Sequence, residues 1–210
     1  MAFEFLETLS TPSVKAEQAA NGGEQYWGKF SGDPEPMRFS AAERVFVGAR
    51  DSFYMATVSE SGWPYVQHRG GPPGFLKVLD DKTLGFADFR GNRQYISLGN
   101  LGADDRAALF LMDYPNRRRL KILGHAEIKS VVDDATLTAG LTEPGYKARV
   151  ERVMLIHLEV FDWNCPQHIT PRFSEAELAP TLAPIRDRLT ELEAENEFLR
   201  AQLPGMRELK

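Results

Sequence analysis

The chain has 210 residues, 42% of them hydrophobic, and a formal net charge of -5. That length holds one domain with a substantial core, or one domain with appendages. The acidic balance excludes a nucleic-acid binder that works through its overall field, and the single short basic cluster, Arg117, Arg118, Arg119 and Lys121, does not reverse it. One cysteine, Cys165, excludes an internal disulfide and suits a reducing compartment. The N-terminus has acidic residues early and lacks a basic head followed by an apolar run. No stretch approaches the roughly 18 uninterrupted apolar residues of a membrane span. These readings predict a cytoplasmic protein that binds neither nucleic acid nor membrane.

Residues 1–39 read as an N-terminal arm. From about Thr11 to Met37 the arm is rich in Gly, Pro and polar residues, with a short helix or extended piece ending at Gly22 and with Tyr26 and Trp27 as isolated apolar anchors. Residues 40–175 carry the main domain. Ser40 followed by Glu43 has capping-box spacing, so a helix starts there, with Val45 and Phe46 on its apolar face. "SFYMATVSESGWPYVQHR" reads as a hairpin, and "FLKVLDDKTLGFAD" as a second one turning at Asp80, Asp81 and Lys82. "NRQYISLGNL" predicts a short helix, and "AALFLMDY", "RLKILGHAEIKSVV" and "ERVMLIHLEVFDW" supply further strands, with "DDATLTAGL" as another helix before the last of them. At least six strands, most joined by short turns, predict a mainly β fold, an antiparallel barrel or sandwich with flanking helices. Residues 176–210 form a C-terminal amphipathic helix: Ile185, Leu189, Leu192, Leu199 and Leu203 lie on one stripe, which Asn196 interrupts. That stripe packs on its own domain or pairs with a partner chain.

The chemistry centres on Gly91-Asn92-Arg93, directly after a strand. If a helix starts at Arg93, the tripeptide sits where backbone N–H groups are unpaired and the helix dipole favours an anion. Gly91 then allows close approach, Asn92 donates from its amide and Arg93 clamps phosphate oxygens. The alternative is a plain strand-to-helix turn with Asn92 as N-cap and Arg93 in solvent. Arg69 and Lys77, on the preceding strands, are further cations for the same space; otherwise Arg69 pairs with a surface carboxylate and Lys77 is solvated. His125 and His157 lie within strand patterns and read as structural, while His68 adjoins Arg69. No His has the Ser or Cys partner of a nucleophilic triad, and Cys165 with His168 alone makes no metal site.

The stretch from about Phe53 to Ile128, with "HRGGPPGF", "ADFRGNRQYISLGNL" and "LFLMDYPNRRRLKILGHA", resembles the pyridoxamine 5'-phosphate oxidase-related family of FMN-binding split barrels, and "FDWNCPQHITPRF" extends the likeness towards Phe173. The resemblance implies a six-stranded antiparallel split barrel, a homodimer, and FMN at the subunit interface. It places Lys77 near the flavin, the backbone of Phe86, Ala87 and Asp88 along the ring, and Gly91, Asn92, Arg93 and Gln94 at the phosphate. Arg119 falls where the oxidases have a glutamine that contacts the flavin, and as a cation near the ring it would raise the flavin potential. Trp163 and Asn164 lie where the family chain approaches the flavin. The Arg-Pro-x-x-Ser segment and late Arg-x-His with which the true oxidases grip pyridoxine phosphate are absent. The resemblance therefore implies an FMN-dependent oxidoreductase acting on another small molecule, with NADH or NADPH as a possible donor. The alternatives are a flavin-binding or sensing protein without turnover and, more distantly, a heme-binding split barrel.

Overall fold

A computed structural model describes residues 3–27, 36–163 and 166–202. The chain separates into two compact units, divided between Ile169 and Thr170. The first contains three short helices, α1 (Phe3–Leu9), α2 (Pro12–Ala20) and α3 (Glu24–Trp27), followed by α4 (Ala41–Gly48). It continues with β1 (Ser52–Val58), β2 (Pro64–Gly70), β3 (Lys77–Val78), β4 (Thr83–Phe89), α5 (Ile96–Ala103), β5 (Arg106–Asp113), β6 (Arg118–Ser130), α6 (Ala135–Leu141) and β7 (Val150–Trp163). The second unit contains α7 (Glu175–Gln202).

The strands form one antiparallel sheet in the order β2-β1-β5-β6-β7-β4-β3. Its alternating strands turn Phe53, Met55, Leu109, Leu111, Leu120, Ile122, Met154 and Ile156 into a common core, as a period-two pattern requires. β4 is buried over five consecutive residues, Leu84 to Asp88. The sheet curls. Its order keeps β2 and β4 from pairing, yet Phe53 of β1 meets Phe86 of β4 edge to face at 5.3 Å, and Arg69 of β2 reaches Asp88 of β4 at 2.5 Å. The gap between β2 and β4 is bridged by side chains instead of a ladder, which is a split barrel. A bulge between Leu123 and Gly124 bends β6 against β7. There a Cβ on Gly124 would lie 2.3 Å from the His157 carbonyl oxygen, so only glycine fits.

Among the described residues, seven strands stand where the family resemblance implies six. The seventh, β3, is two residues long: Phe75 N donates to the Pro72 carbonyl in a turn, Phe75 and Leu76 are buried in the core, and only Lys77 and Val78 pair with Gly85 and Leu84. The Gly-Pro loop before it is anchored by backbone bonds from Gly71 to Asp51 and from Gly74 to Arg50, and it delivers the Phe75 ring onto Phe53 at 5.7 Å. Gly71 lies so close to that ring that a Cβ would stand 2.7 Å from it.

The capping box forms as the spacing predicts: Ser40 N donates to Glu43 Oε2 at 2.9 Å and Ala42 N donates to the Ser40 hydroxyl. Asp134 caps α6 by accepting from Leu137 N at 2.8 Å. α2 runs from a Thr11 cap to just before Gly22, at φ 71°. Of the two expected anchors in the arm, Tyr26 is exposed, and Phe5 of α1 is the buried residue, with Lys121 Nζ 4.4 Å from its ring. In the second unit Ser174 and Glu177 form another capping box at the start of α7. Every described side chain of that helix is at least partly exposed, and Pro180 and Pro184 lie inside it.

Candidate functional site: a cationic cleft at the split in the barrel

Asp88 is the pivot of the site. It sits opposite Arg152 in the β4–β7 register, and one of its oxygens accepts from Arg152 at 2.5 Å while the other accepts from Arg69 across the split. The carboxylate is buried and both arginines are nearly so, which makes this a desolvated, charge-assisted triad. Arg152 also donates to Glu151 at 2.9 Å, and its guanidinium lies 5.3 Å from the centre of the Tyr95 ring. Burial alone would lower the Arg152 pKa, but Asp88 and Glu151 outweigh it and hold it above the ordinary value.

Around this triad lies an open cleft of about 60 Å³, lined among others by Gln67, Asn92, Arg93, Tyr95 and Ser97. α5 closes one side. Ser97 donates to Gln67 of β2 at 2.9 Å, and Asn100 donates to Thr57 of β1 at 2.9 Å, so the helix is tied to both strands at the barrel's split. Three guanidinium groups, of Arg69, Arg93 and Arg152, meet two carboxylates here, and Arg90 adds a fourth cation 3.5 Å from Glu151. The balance is positive. Arg69 Nε is buried with no hydrogen-bond partner among the described residues, a donor that an anion in the cleft would satisfy. Arg93 has no ion-pair partner there either.

The turn that carries Arg93 differs from the expected one. The helix starts at Ile96, three residues later than a helix at Arg93 would, and Tyr95 occupies the cap position at φ 53° without a side-chain capping bond. Arg93 itself is left-handed at φ 61°. Asn92 caps no helix; its side-chain oxygen accepts from Gln94 N at 3.1 Å, an Asx turn, and its amide donates to the Gln94 side chain. Two left-handed non-glycine residues within three positions are costly backbone, and such outliers cluster at ligand-binding sites.

The structure thus brings together Arg69, Asp88, Gly91, Asn92 and Arg93, with Gln94 braced against Asn92. Phe86 packs in the core and Ala87 is buried, and their backbone pairs only with β7, because the β3–β4 ladder ends at Gly85. Lys77 points elsewhere: its ammonium donates to the Gly140 carbonyl at 2.9 Å and pairs with Glu143 at 2.7 Å. Arg119 lays its guanidinium 5.3 Å from the centre of the Phe110 ring. Trp163 donates its indole N–H to Glu43 at 2.8 Å and packs edge-on against Phe46, with Arg118 over its ring. Asn164 and Cys165 lie outside the described residues. His125 and His157 pair with Asp105 and Glu127, and His68 packs against Tyr54.

Sequence reasoning missed Gln67, Tyr95, Ser97, Glu151 and Arg152. The one signal for the last two was a charged pair opening an otherwise apolar strand, which by itself reads as a solvated strand end. Only the register of β4 against β7 sets Arg152 opposite Asp88.

No curated protein matches the chain. Among solved structures, a putative pyridoxamine 5'-phosphate oxidase from Lactobacillus delbrueckii is 22% identical over 60% of this chain and 93% of its own, at a TM-score of 0.45. Group A Streptococcus HupZ is 16% identical over 64% of this chain and 99% of its own, at 0.46. An FMN-binding protein from Syntrophomonas wolfei is 13% identical over 73% and 95%, at 0.42. The sequence model of the pyridoxamine 5'-phosphate oxidase family matches residues 39–156, more than half of the chain and every strand but the end of β7. With a curled antiparallel sheet split between β2 and β4 over that same span, this chain belongs to the pyridoxamine 5'-phosphate oxidase family.

Proposed function

We propose that the chain binds FMN, with the phosphate in the cationic cleft, and acts as an FMN-dependent oxidoreductase on a small molecule. The observation that carries this reading is the cleft itself: four arginines against two carboxylates, a buried Arg69 Nε without a partner among the described residues, and Arg93 held in a left-handed turn at its rim. Asp88 fixes Arg69 and Arg152 in place before any ligand arrives, so their charge is preorganised. Arg93 is free to close on the anion. The edge of β4 beyond Gly85 offers backbone polar groups to the rim of a flat ring, while Phe86 anchors the strand in the core. Bound flavin would supply the electron or hydride exchange, and the protein binding and electrostatics.

A homodimer belongs to this reading. The outer face of the sheet exposes Tyr54, Val66 and Phe110 side by side on β1, β2 and β5, an apolar strip suited to a second copy. Phosphorylated pyridoxine is not the proposed substrate, since the Arg-Pro-x-x-Ser and Arg-x-His segments that would hold its phosphate are absent.

The first test is the visible spectrum of the purified chain, followed by FMN titration of the wild type and of Arg93→Ala. The expected result is flavin absorbance in the wild type and binding at least about tenfold weaker in the variant, the loss of roughly 1.4 kcal/mol for a charge-assisted phosphate contact. A colourless wild type that ignores added FMN refutes the proposal. Reduction of bound flavin by NADH or NADPH above the rate for free FMN then separates an enzyme from a flavin binder.

A further inference from the structure

We infer that α7 is one strand of a parallel, two-stranded coiled coil, and that its partner is α7 of a second copy of this chain. The inference is independent of the flavin reading. Leu178, Leu182, Ile185, Leu189, Leu192, Asn196 and Leu199 follow one another at alternating spacings of four and three, an unbroken heptad seam through the described helix. All six of its apolar residues are at least 39% exposed.

Leu178, Ile185, Leu192 and Leu199 take the d positions, and Leu182, Leu189 and Asn196 the a positions. Asn196, which interrupts the apolar stripe, is thereby explained. A lone asparagine at an a position sets register and favours dimers, because it meets its own copy only when the two helices run parallel and unstaggered. In an antiparallel pair a residues face d residues, and the amide would lie against an apolar side chain with no partner.

The flanking charges agree. In a parallel pair each g residue faces the e residue of the next heptad, which sets Arg188 against Glu193 of the partner subunit and Glu195 against Arg200 of the partner subunit. Within its own chain Arg188 pairs with Glu191 at 2.9 Å, but both side chains are more than 60% exposed, so exchanging that partner costs little. Pro180 and Pro184 occupy f and c positions, off the seam. Each removes a helix hydrogen bond, so the first half of α7 needs the stabilisation that pairing supplies.

The test uses the full-length chain with Cys165→Ser, adding Ile185→Cys or Leu199→Cys at the seam, or Asp187→Cys on the outer face as a control. In a parallel, in-register pair each seam thiol faces its own copy at disulfide distance. The expected result under mild oxidation is a covalent dimer for both seam variants, with at least tenfold less for the control. Arg188→Glu should lower the yield at Leu199→Cys several-fold, and adding Glu193→Arg should restore it. Equal yields at seam and control, a dimer from only one seam position or from neither, or failure of the charge swap to restore the yield overturns the inference. Flavin content, read on the same samples, follows the cleft and so reports on the other proposal separately.

Discussion

Asp88 carries more at the residue scale than a strand position usually does. It is one carboxylate shared by two largely buried arginines from opposite sides of the split, so its removal leaves two desolvated cations facing each other. We expect Asp88→Ala to lower stability by roughly 3 kcal/mol, the lower end for breaking a buried pair because both arginines keep some contact with water. The midpoint of a urea titration checks this. Glu43 is the second such residue. Burial pushes its carboxyl up, but bonds from Ser40 and from the Trp163 indole outweigh that and leave its pKa below the ordinary 4.5. A carboxyl depressed on folding contributes stability that is present above its unfolded pKa and is lost as pH falls through the folded value. The stability gap between wild type and Glu43→Gln, about 1 kcal/mol at neutral pH for a capping contact, should therefore narrow as pH drops below 4.5. Thermal melts between pH 7 and pH 3 would show it; a gap that stays constant counts against the role assigned to the charge.

Bends in the elements decide where the site sits. The bulge at Gly124 curls β6 against β7, and that curl contributes to carrying β4 round until Asp88 meets Arg69. Gly124→Ala would press a methyl group onto the His157 carbonyl, so we expect a loss of about 2 kcal/mol or more and, with it, weaker coupling across the split. Chemical denaturation measures the first effect, and FMN affinity of the folded fraction the second. α5 shows the limits of reading elements from composition. A helix after β4 was legible, since Ile96 to Leu101 has the apolar content for it, but its start was misplaced by three residues. Left-handed Arg93 and Tyr95 delay it, and nothing local in Arg or Tyr announces a positive φ as glycine would.

Across the whole molecule the charge is negative while the cleft is positive, and the two act over different distances. The net field of -5 repels a free phosphate ester weakly at long range; the arginines attract it within the cleft. FMN binding should consequently weaken several-fold between about 0.05 and 0.5 M NaCl, over which screening shortens from roughly 14 to 4 Å. Inorganic phosphate at constant ionic strength should compete further. Fluorescence titration of FMN distinguishes the two, and binding indifferent to both would place the flavin phosphate outside this cleft. No described helix is long and apolar enough to cross a membrane.

Taken alone, the sequence determined most of the strands, the capping box at Ser40, the helix after Asp134 and the apolar stripe of α7, because each is written in contacts between residues a few positions apart. It also singled out Arg69 and the Gly91-Asn92-Arg93 turn as chemically unusual, whereas Asp88 entered only through the backbone that the family resemblance implies. Tertiary structure alone decided which of these meet. Lys77 went to Gly140 and Glu143, Trp163 to Glu43, and Arg152 to Asp88, since strand register and sheet curl bring together residues 63 to 120 positions apart, and neither leaves a local trace in the chain.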